Sequence, residues 1–319
     1  MKFKFSLSII LLFLIMSCSP QKPVPDRTEY GSESINGIRV TPKRPEISSW
    51  ACVLQNPSTA AIAESPYQLI VTDYSKDGTD NRKFTAEEVA IMHRYKKTVL
   101  CYFSIGEAEN YRFYWDKGWD ENHPTFLGPE NKDWPGNFKV RYWSEDWWEK
   151  ALKPYMDRIL EAGFDGVYLD IVDAYWFWHE QGEDVKDTAD RMIKLIVRIA
   201  DYCRKRAGSN FIICPQNGMG VFESCSPEYR EAYFKTIDMV GLESLLFNCF
   251  STDDRDYRLR LAGEVAKNGK TVLDMEYIGP KEYHDYLKQV RALPFKLIPY
   301  ASTPDAALTR LTDFYYSLK

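Results

Sequence analysis

The stretch GFDGVYLDIVDAYW, residues 163–176, contains the pattern from which the fold class is predicted. A mostly apolar run, Gly166–Leu169, is followed at once by Asp170, and helical patterns stand on either side, at 145–161 and 187–206. A continuous apolar run is typical of a strand buried on both faces of a parallel sheet. The stretch therefore predicts one strand–helix unit of an α/β protein, with an acid at the carboxyl end of the strand.

The same unit recurs along the chain. We predict strands at 49–54, 69–72, 98–104, 166–169, 211–214, 239–242, 271–275 and 296–299. The helical patterns include 86–95, 145–161, 187–206, 254–267 and 281–291. Strand–helix alternation of this length favours an α/β fold with a single (β/α)8 TIM barrel over a doubly wound sheet. The barrel is expected to occupy residues 46–319.

The amino terminus has the pattern of an export signal. Lys2 and Lys4 precede an apolar run at 5–16 that is too short to span a bilayer with margin. The residues Ile15-Met16-Ser17-Cys18 resemble a bacterial lipobox, which implies a lipoprotein signal peptide at 1–17 and acylation of Cys18. An ordinary signal peptide with an incidental cysteine is the alternative.

Residues 18–45 are polar and contain five prolines, so they predict a flexible tether with no core of its own. Together with the acylated cysteine, the tether predicts an exported protein that is anchored by lipid in the cell envelope, at the outer membrane or the cell surface.

Composition excludes several classes of partner. The formal net charge is -5 and no basic stripe is present, which argues against nucleic acid. The six cysteines after Cys18 contain no C-x-x-C pair, and the four histidines are scattered, so we predict no metal site. We expect no cofactor and a monomeric protein. The aromatic content of 15% is high, which weakly favours carbohydrate as a ligand.

Polar residues just after the apolar runs are the candidates for an active site, because a barrel of this class binds substrate at the carboxyl ends of its strands. The candidates are Asp73, Glu107, Glu109, Asp170, Asp173, Gln216, Asn217, Glu243, Glu276 and Tyr300. Crowded acids separate their pKa values, so that some stay protonated while others ionise. Glycoside cleavage needs such a split between two carboxyl groups.

Asp170 and Glu243 are the acids that we expect to be catalytic. Each follows an apolar run and is followed by another, at 166–169 and 171–172 for Asp170 and around 240–246 for Glu243. An ionised group in such surroundings is costly unless it has a function. For Asp173 we favour a helix-capping or supporting role, which is common for an Asp after a strand.

A long segment between Ser104 and Glu145 predicts one wall of the substrate cleft. Arg112 and Tyr111 are candidate substrate contacts within it. The alternative is that its aromatic residues pack the segment onto the barrel, which is equally compatible with any one of them. These aromatics are Tyr111, Tyr114, Trp115, Trp119 and Trp134.

Four stretches together resemble glycoside hydrolase family 114, which contains endo-α-1,4-polygalactosaminidases. They are CYFSIGEAENYR at 101–112, GFDGVYLDIVDAYW at 163–176, PQNG at 215–218, and Glu243. The resemblance implies a barrel with catalytic acids at the ends of the fourth and sixth strands, Asp170 and Glu243. By analogy with related barrels, Asp170 would be the nucleophile and Glu243 the acid/base. The resemblance implies α-linked amino-sugar polymers that contain galactosamine as substrates.

Two other functions fit parts of the sequence. A non-catalytic, carbohydrate-binding surface lipoprotein would share the fold, the aromatics and the anchor, but it would have no reason to keep the acid pair. A barrel hydrolase with a non-sugar substrate is disfavoured, because the chain contains neither metal-ligand spacing nor a G-x-S-x-G motif. The excess of acids at the strand ends predicts a cationic polymer as substrate.

Overall fold

The computed structural model describes Ser34–Ile35, Ile38–Arg39 and residues 46–313. The chain forms two compact units, 1–45 and 46–319. In the first unit, Ser34–Ile35 pairs antiparallel with Ile38–Arg39, inside the segment for which the sequence predicted a tether. The predicted signal peptide, Cys18 and the rest of the tether lie outside the described residues.

The second unit contains, within residues 46–313, eight parallel strands in the predicted order. They are β1 (Trp50–Val53), β2 (Leu69–Thr72), β3 (Thr98–Ser104), β4 (Gly166–Asp170), β5 (Ile212–Pro215), β6 (Met239–Glu243), β7 (Thr271–Tyr277) and β8 (Leu297–Ser302). β1 to β5 form one sheet, and β6 to β8 form another. The α/β architecture with a parallel sheet, predicted from the sequence, is therefore confirmed.

The two sheets meet at β5 and β6 through a single parallel bridge, Gln216 to Gly241. Over the described residues no ladder joins β8 to β1, although the indole Nε1 of Trp50 donates to the main-chain oxygen of Ile298 at 2.9 Å. The ring of Trp50 lies 6.3 Å from that of Tyr168 on β4. A Cβ atom on Gly241 would lie only 2.2 Å from the Tyr168 hydroxyl. The side chains of Trp50 on β1 and Tyr168 on β4 thus meet in one interior, where Tyr168 lies against the backbone of β6 at Gly241.

Helices follow the strands. They are α1 (Thr59–Glu64), α2 (Ala86–Arg94), α3 (Glu145–Trp147), α4 (Lys153–Ala162), α5 (Ala174–Glu180), α6 (Val185–Ala207), α7 (Val221–Ser224), α8 (Pro227–Thr236), α9 (Thr252–Lys267) and α10 (Tyr283–Ala292). A π-helical turn, Trp148–Leu152, connects α3 to α4, and Asp80–Arg82 forms a 3₁₀ turn.

The helix ends follow from local chemistry. Thr85 and Glu88 form a reciprocal capping box at the start of α2, and Gly163 ends α4 in the left-handed conformation, with φ of 89°. In the described part of the chain, no helix combines the length and the apolar character needed to cross a membrane.

The long segment after β3 folds into a small antiparallel sheet, which we call the insertion sheet. Its strands are Glu107–Glu109, Leu127–Glu130 and Asn137–Val140, and a 3₁₀ turn lies at Lys117–Asp120. Trp115 packs against Phe138, with ring centroids 4.9 Å apart, and Trp119 packs against Phe126. For these two tryptophans, packing of the segment is what the structure shows. Tyr111 and Trp134 remain 47% and 68% exposed.

Candidate active site

Asp170 is the last residue of β4, and its carboxyl group is held at both oxygens. The Tyr102 hydroxyl donates to Oδ2 at 2.7 Å, and the main-chain N–H of Ile171 donates to Oδ1 at 2.8 Å. Burial raises the pKa of Asp170, the Tyr102 hydrogen bond lowers it and the charge of Glu243 raises it, and the net result is a pKa of about 7. Asp170 therefore exchanges its proton near neutral pH.

Glu243 is the last residue of β6, and three side-chain donors converge on it. Nε2 of Gln216 and Nδ2 of Asn217 donate to Oε1 at 2.9 and 3.0 Å. The Tyr277 hydroxyl donates to Oε2 at 2.6 Å. The charge of Glu243 raises the pKa of Asp170, and the charge of Asp170 raises the pKa of Tyr277, so the two acids lie near each other. The structure thus brings together four of the predicted residues: Asp170, Gln216, Asn217 and Glu243.

The backbone turns sharply after each of these strand ends. Ile171, Asn217 and Ser244 have φ values of 60°, 49° and 50°. Non-glycine residues rarely adopt this left-handed conformation, and a β-branched residue such as Ile171 is a clear outlier. Backbone strain of this kind clusters at functional sites, where the surrounding contacts hold it in place.

Arg112 forms a buried ion-pair cluster with Asp73 and Glu109. Its guanidinium approaches Oδ1 and Oδ2 of Asp73 at 2.8 and 2.7 Å, and its Nε donates to Oε2 of Glu109 at 2.7 Å. The Tyr111 hydroxyl donates to the other Glu109 oxygen at 2.6 Å. Burial raises the pKa of Asp73, and Arg112 opposes that shift. The guanidinium carbon lies 6.0 Å from the ring of Tyr102, which connects the cluster to Asp170.

Glu107 belongs to the insertion sheet, and Asp173 lies near it, within the electrostatic influence of Glu107 and Lys139. Glu107 is buried, and Lys139 and Nδ2 of Asn131 both donate to its Oε1, the latter at 2.9 Å. Asp173 precedes α5, is exposed, and makes no capping hydrogen bond to that helix. Although the residue reaches solvent, desolvation by the surrounding protein raises the pKa of its carboxyl group, Lys139 lowers it, and the charges of Glu107 and Glu243 raise it. The capping role that we favoured for Asp173 is therefore not observed.

The structure does not bring Glu276 and Tyr300 to the site. β7 runs to Tyr277, two residues beyond the predicted end, and Glu243 pairs with Met275. Since alternate residues of a strand face the same side, Tyr277 shares the face of Glu243, and Glu276 faces away. Oε1 of Glu276 accepts from the main-chain N–H of Leu246 at 2.6 Å.

Tyr300 lies in the hydrophobic core. It is 1% exposed, and its ring packs 5.8 Å from that of Trp50 and 5.5 Å from that of Tyr67. Its hydroxyl accepts from the main-chain N–H of Thr312 at 3.4 Å. The prediction that Glu276 and Tyr300 contact substrate is corrected accordingly: the first supports the loop after β6, and the second packs the interior.

Sequence reasoning missed three residues that contact the acid pair or its neighbours. Tyr102 and Tyr277 lie on the same faces of their strands as the acids. Tyr102 was overlooked because only residues beyond the apolar runs were considered, and Tyr277 because its strand was predicted to end at Met275. Two-residue alternation along β3 and β7 was the signal that identifies them. Arg258 comes from α9 and donates to Oδ1 of Asn217 and to the main-chain oxygen of Glu243, and no sequence pattern marks it. Over the described residues, no group of three potential metal ligands is found.

The chain belongs to glycoside hydrolase family 114. The model of that family matches residues 33–299. An uncharacterized protein of Methanocaldococcus jannaschii is 37% identical over 311 residues, covering 92% of this chain and 88% of the relative. An uncharacterized protein of Thermotoga maritima is 32% identical over 275 residues, covering 82% and 83%.

Solved structures show the same fold. The glycoside hydrolase domain of PelA from Pseudomonas aeruginosa matches with a TM-score of 0.63 and 16% identity, over 83% of this chain and 98% of that one. Aspergillus fumigatus Ega3, solved in complex with galactosamine, matches with a TM-score of 0.58 and 19% identity, over 83% and 94%. The fold is therefore that of family 114 domains of the TIM-barrel type.

Proposed function

We propose that this protein hydrolyses α-linked amino-sugar polymers with Asp170 and Glu243 as its two catalytic carboxyl groups. The observation that carries the proposal is the pairing of two strand-end acids in different surroundings. Asp170 holds a proton up to about pH 7, while Glu243 accepts three hydrogen bonds from neutral donors. Glycoside hydrolysis requires two carboxyl groups with different tasks.

Asp170 acts as the nucleophile and Glu243 as the acid/base, as the family resemblance implies. Tyr102 and the main-chain N–H of Ile171 fix the Asp170 carboxyl group, which suits attack along one direction. Asp170 bonds to the anomeric carbon as the glycosidic C–O bond breaks and Glu243 gives its proton to the leaving oxygen. Glu243 then takes a proton from water, which attacks the anomeric carbon and displaces Asp170, with net retention. Because attack requires the carboxylate, the pKa of about 7 on Asp170 limits activity at acidic pH.

The substrate carries free amines, in particular galactosamine units. Arg112 neutralises much of the charge of Asp73 and Glu109, and Lys139 that of Glu107. Asp173, by contrast, is exposed beside the site. A protonated amine on the sugar would pair with Asp173 and with the ionised member of the acid pair, whereas an N-acetyl group would not.

The protein is also proposed to be exported and held in the cell envelope by a lipid on Cys18. The support is the sequence alone: Lys2 and Lys4, the apolar run at 5–16, and the lipobox-like residues before Cys18. A lipid anchor would place the enzyme where extracellular polysaccharide is available.

The test compares a galactosamine polymer before and after chemical N-acetylation, at low and high salt, by counting new reducing ends. The amine form should be cleaved faster, and added salt should slow it, since salt screens charge attraction. If acetylation improves the rate, or salt leaves it untouched, the electrostatic account of specificity is wrong. Binding of the polymer without new reducing ends would favour a non-catalytic binder.

Asp173→Asn sharpens this comparison. We expect kcat/KM for the amine polymer to fall about tenfold, equivalent to about 1.4 kcal/mol, with little change for the acetylated polymer. Asp184→Asn is the matched control: it removes the same charge from the residue that caps α6, and Asn preserves the cap. Equal losses of kcat/KM in the two variants would indicate that the negative charge of the whole protein attracts the substrate, and that Asp173 makes no local contact with it.

A further inference from the structure

Arg258 joins the two strand ends that carry Asn217 and Glu243. It lies on α9, and its Nη2 donates to the main-chain oxygen of Glu243 at 2.6 Å and to Oδ1 of Asn217 at 3.1 Å. Its Nη1 donates to the main-chain oxygen of Ser244 at 3.1 Å. One guanidinium therefore holds acceptors that belong to the segments after β5 and at the end of β6.

These contacts determine which way the Asn217 amide points. A guanidinium has donors and no acceptor, so the amide atom facing Arg258 must be the oxygen. The same oxygen accepts from the main-chain N–H of Glu243 at 3.3 Å, which leaves Nδ2 to donate to Oε1 of Glu243 at 3.0 Å. The opposite orientation would set the amide oxygen against a carboxylate and the amide NH2 against a cation.

The backbone at Asn217 and at Ser244, two of the residues that Arg258 contacts, adopts a strained conformation. Asn217 and Ser244 have left-handed φ values of 49° and 50°. Such conformations are sparsely populated for non-glycine residues and persist where surrounding contacts determine them. Arg258 bonds the side chain of the first and the carbonyl of the second. Its ion pair with Asp254 is longer, at 3.7 Å, so the shorter contacts are those to the strand ends.

We propose that Arg258 is a positioning residue that orients the Asn217 amide and the backbone at Glu243, and thereby holds the Glu243 carboxyl group in its working position. Arg258 does not touch the reacting atoms; it acts through Asn217 and the main chain. The kinetic part of this inference rests on the proposed glycosidase function.

The kinetic test is Arg258→Ala, with activity measured on the galactosamine polymer. We expect kcat to fall about a hundredfold, the effect of a small displacement of a catalytic group, with KM changed by less than about threefold. Added guanidinium ion should restore part of kcat by occupying the vacated space. Arg258→Lys should retain more activity than Arg258→Ala, because its ammonium can still bond to a carbonyl.

The matched control is Arg255→Ala. Arg255 lies on the same helix and pairs with Asp256 at 2.9 Å, so its loss should leave kcat unchanged. In the double variant with Asn217→Ala, the losses should not add, because Arg258 acts partly through Asn217. Retention of kcat within twofold in Arg258→Ala, equal losses in Arg255→Ala, or full additivity would each overturn the proposal.

A crystal structure of Arg258→Ala tests the inference independently of activity. We expect the Asn217 side chain to rotate so that Nδ2 no longer lies within hydrogen-bond distance of Glu243. An Asn217 in its original place would contradict the positioning role. If the wild-type protein cleaves no glycan, the proposed function fails, and this crystallographic comparison still decides the role of Arg258.

Discussion

Asp170 and Tyr102 show how one residue tunes another across neighbouring strands. Tyr102↔Tyr168 and Ser104↔Asp170 are in register on β3 and β4, which brings the Tyr102 hydroxyl to the Asp170 carboxyl group. Burial and the nearby Glu243 raise the pKa of Asp170, and the hydroxyl moderates this rise by stabilising the carboxylate. The pH dependence of the enzyme should therefore depend on a tyrosine that need not touch the substrate.

The first prediction is that kcat/KM falls as the pH drops below about 7, because a nucleophilic Asp170 must be ionised and its pKa is about 7. Tyr102→Phe removes a donor that lowers this pKa, so the acidic limb should move to higher pH by about one unit. The measurement is kcat/KM between pH 4 and 9 for the wild type and the variant.

Tyr111→Phe serves as the control for that profile. It removes a hydroxyl that bonds to Glu109 and leaves Asp170 untouched, so the acidic limb should stay in place. An activity that instead declines above pH 7 through Asp170 would assign the acid role to this residue and contradict its role as nucleophile.

Within the strand β7, Asp274 and Glu276 lie on one face, and Tyr277 lies on the other. Tyr277 faces Glu243, whereas Glu276 faces the loop after β6 and binds the Leu246 N–H. Asp274 lies two residues before Glu276 on the same face and accepts from the Tyr286 hydroxyl on α10 at 2.8 Å. Glu276 therefore anchors the loop that follows Glu243.

The second prediction concerns Glu276. Glu276→Ala leaves the Leu246 N–H without its acceptor and should lower the free energy of unfolding by about 1–3 kcal/mol. Glu276→Gln keeps an acceptor oxygen and should be much less damaging. Denaturant unfolding of both variants measures the difference, and equal losses would show that the hydrogen bond is not what matters.

The pH dependence of Glu276→Gln provides an internal check. Burial raises the pKa of Glu276 to about 7, above its unfolded value, so its neutral form contributes stability at low pH that is lost as the pH rises through 7. Gln cannot ionise. The variant should therefore gain stability relative to the wild type between pH 5 and pH 8, and a constant difference would contradict this account.

Continuous apolar runs made the parallel strands predictable, and β2 and β3 begin and end where the sequence placed them. The predicted end of β7 was wrong by two residues, and this error led to a wrong role for Glu276. Polar Asp274 and Glu276 interrupt the apolar pattern, so the strand was ended early at Met275 and the facing of later residues was misjudged. The insertion sheet could not be predicted either, because its strands are short and the strand Glu107–Glu109 pairs with Asn137–Val140, which lies much later in the chain.

The contacts of the site were less predictable than its acids. Asp170, Gln216, Asn217 and Glu243 follow from their position at strand ends. Arg258 reaches the site from α9 through the folded structure, and one arginine among several on an exposed helix has no distinguishing sequence pattern. Likewise, the neutralisation of Asp73 and Glu109 by Arg112 depends on a loop conformation.

In the whole molecule, the proposed anchor belongs to one compact unit of the chain, 1–45, and the family 114 domain belongs to the other, 46–319. If the first unit carries a lipid on Cys18, the second should be released by any change that prevents acylation. The anchor and the chemistry can therefore be tested separately.

The third prediction is that the native protein carries a lipid-modified Cys18 at its amino terminus. Cys18→Ala should move the protein from the membrane fraction to the soluble fraction, with its hydrolytic activity unchanged. Mass spectrometry of the native amino terminus and fractionation of both forms provide the measurement. An unmodified amino terminus at another residue would contradict the lipoprotein assignment.

The central claim is that Asp170 and Glu243 together cleave the glycosidic bond. The most direct measurement is kcat on the galactosamine polymer for the wild type, Asp170→Asn and Glu243→Gln, with thermal unfolding to verify that each variant is folded. Each substitution keeps the size of the side chain and removes its ability to ionise, so kcat should fall at least about a hundredfold in both. A folded variant of either residue that retains kcat within about tenfold of the wild type would contradict the assignment.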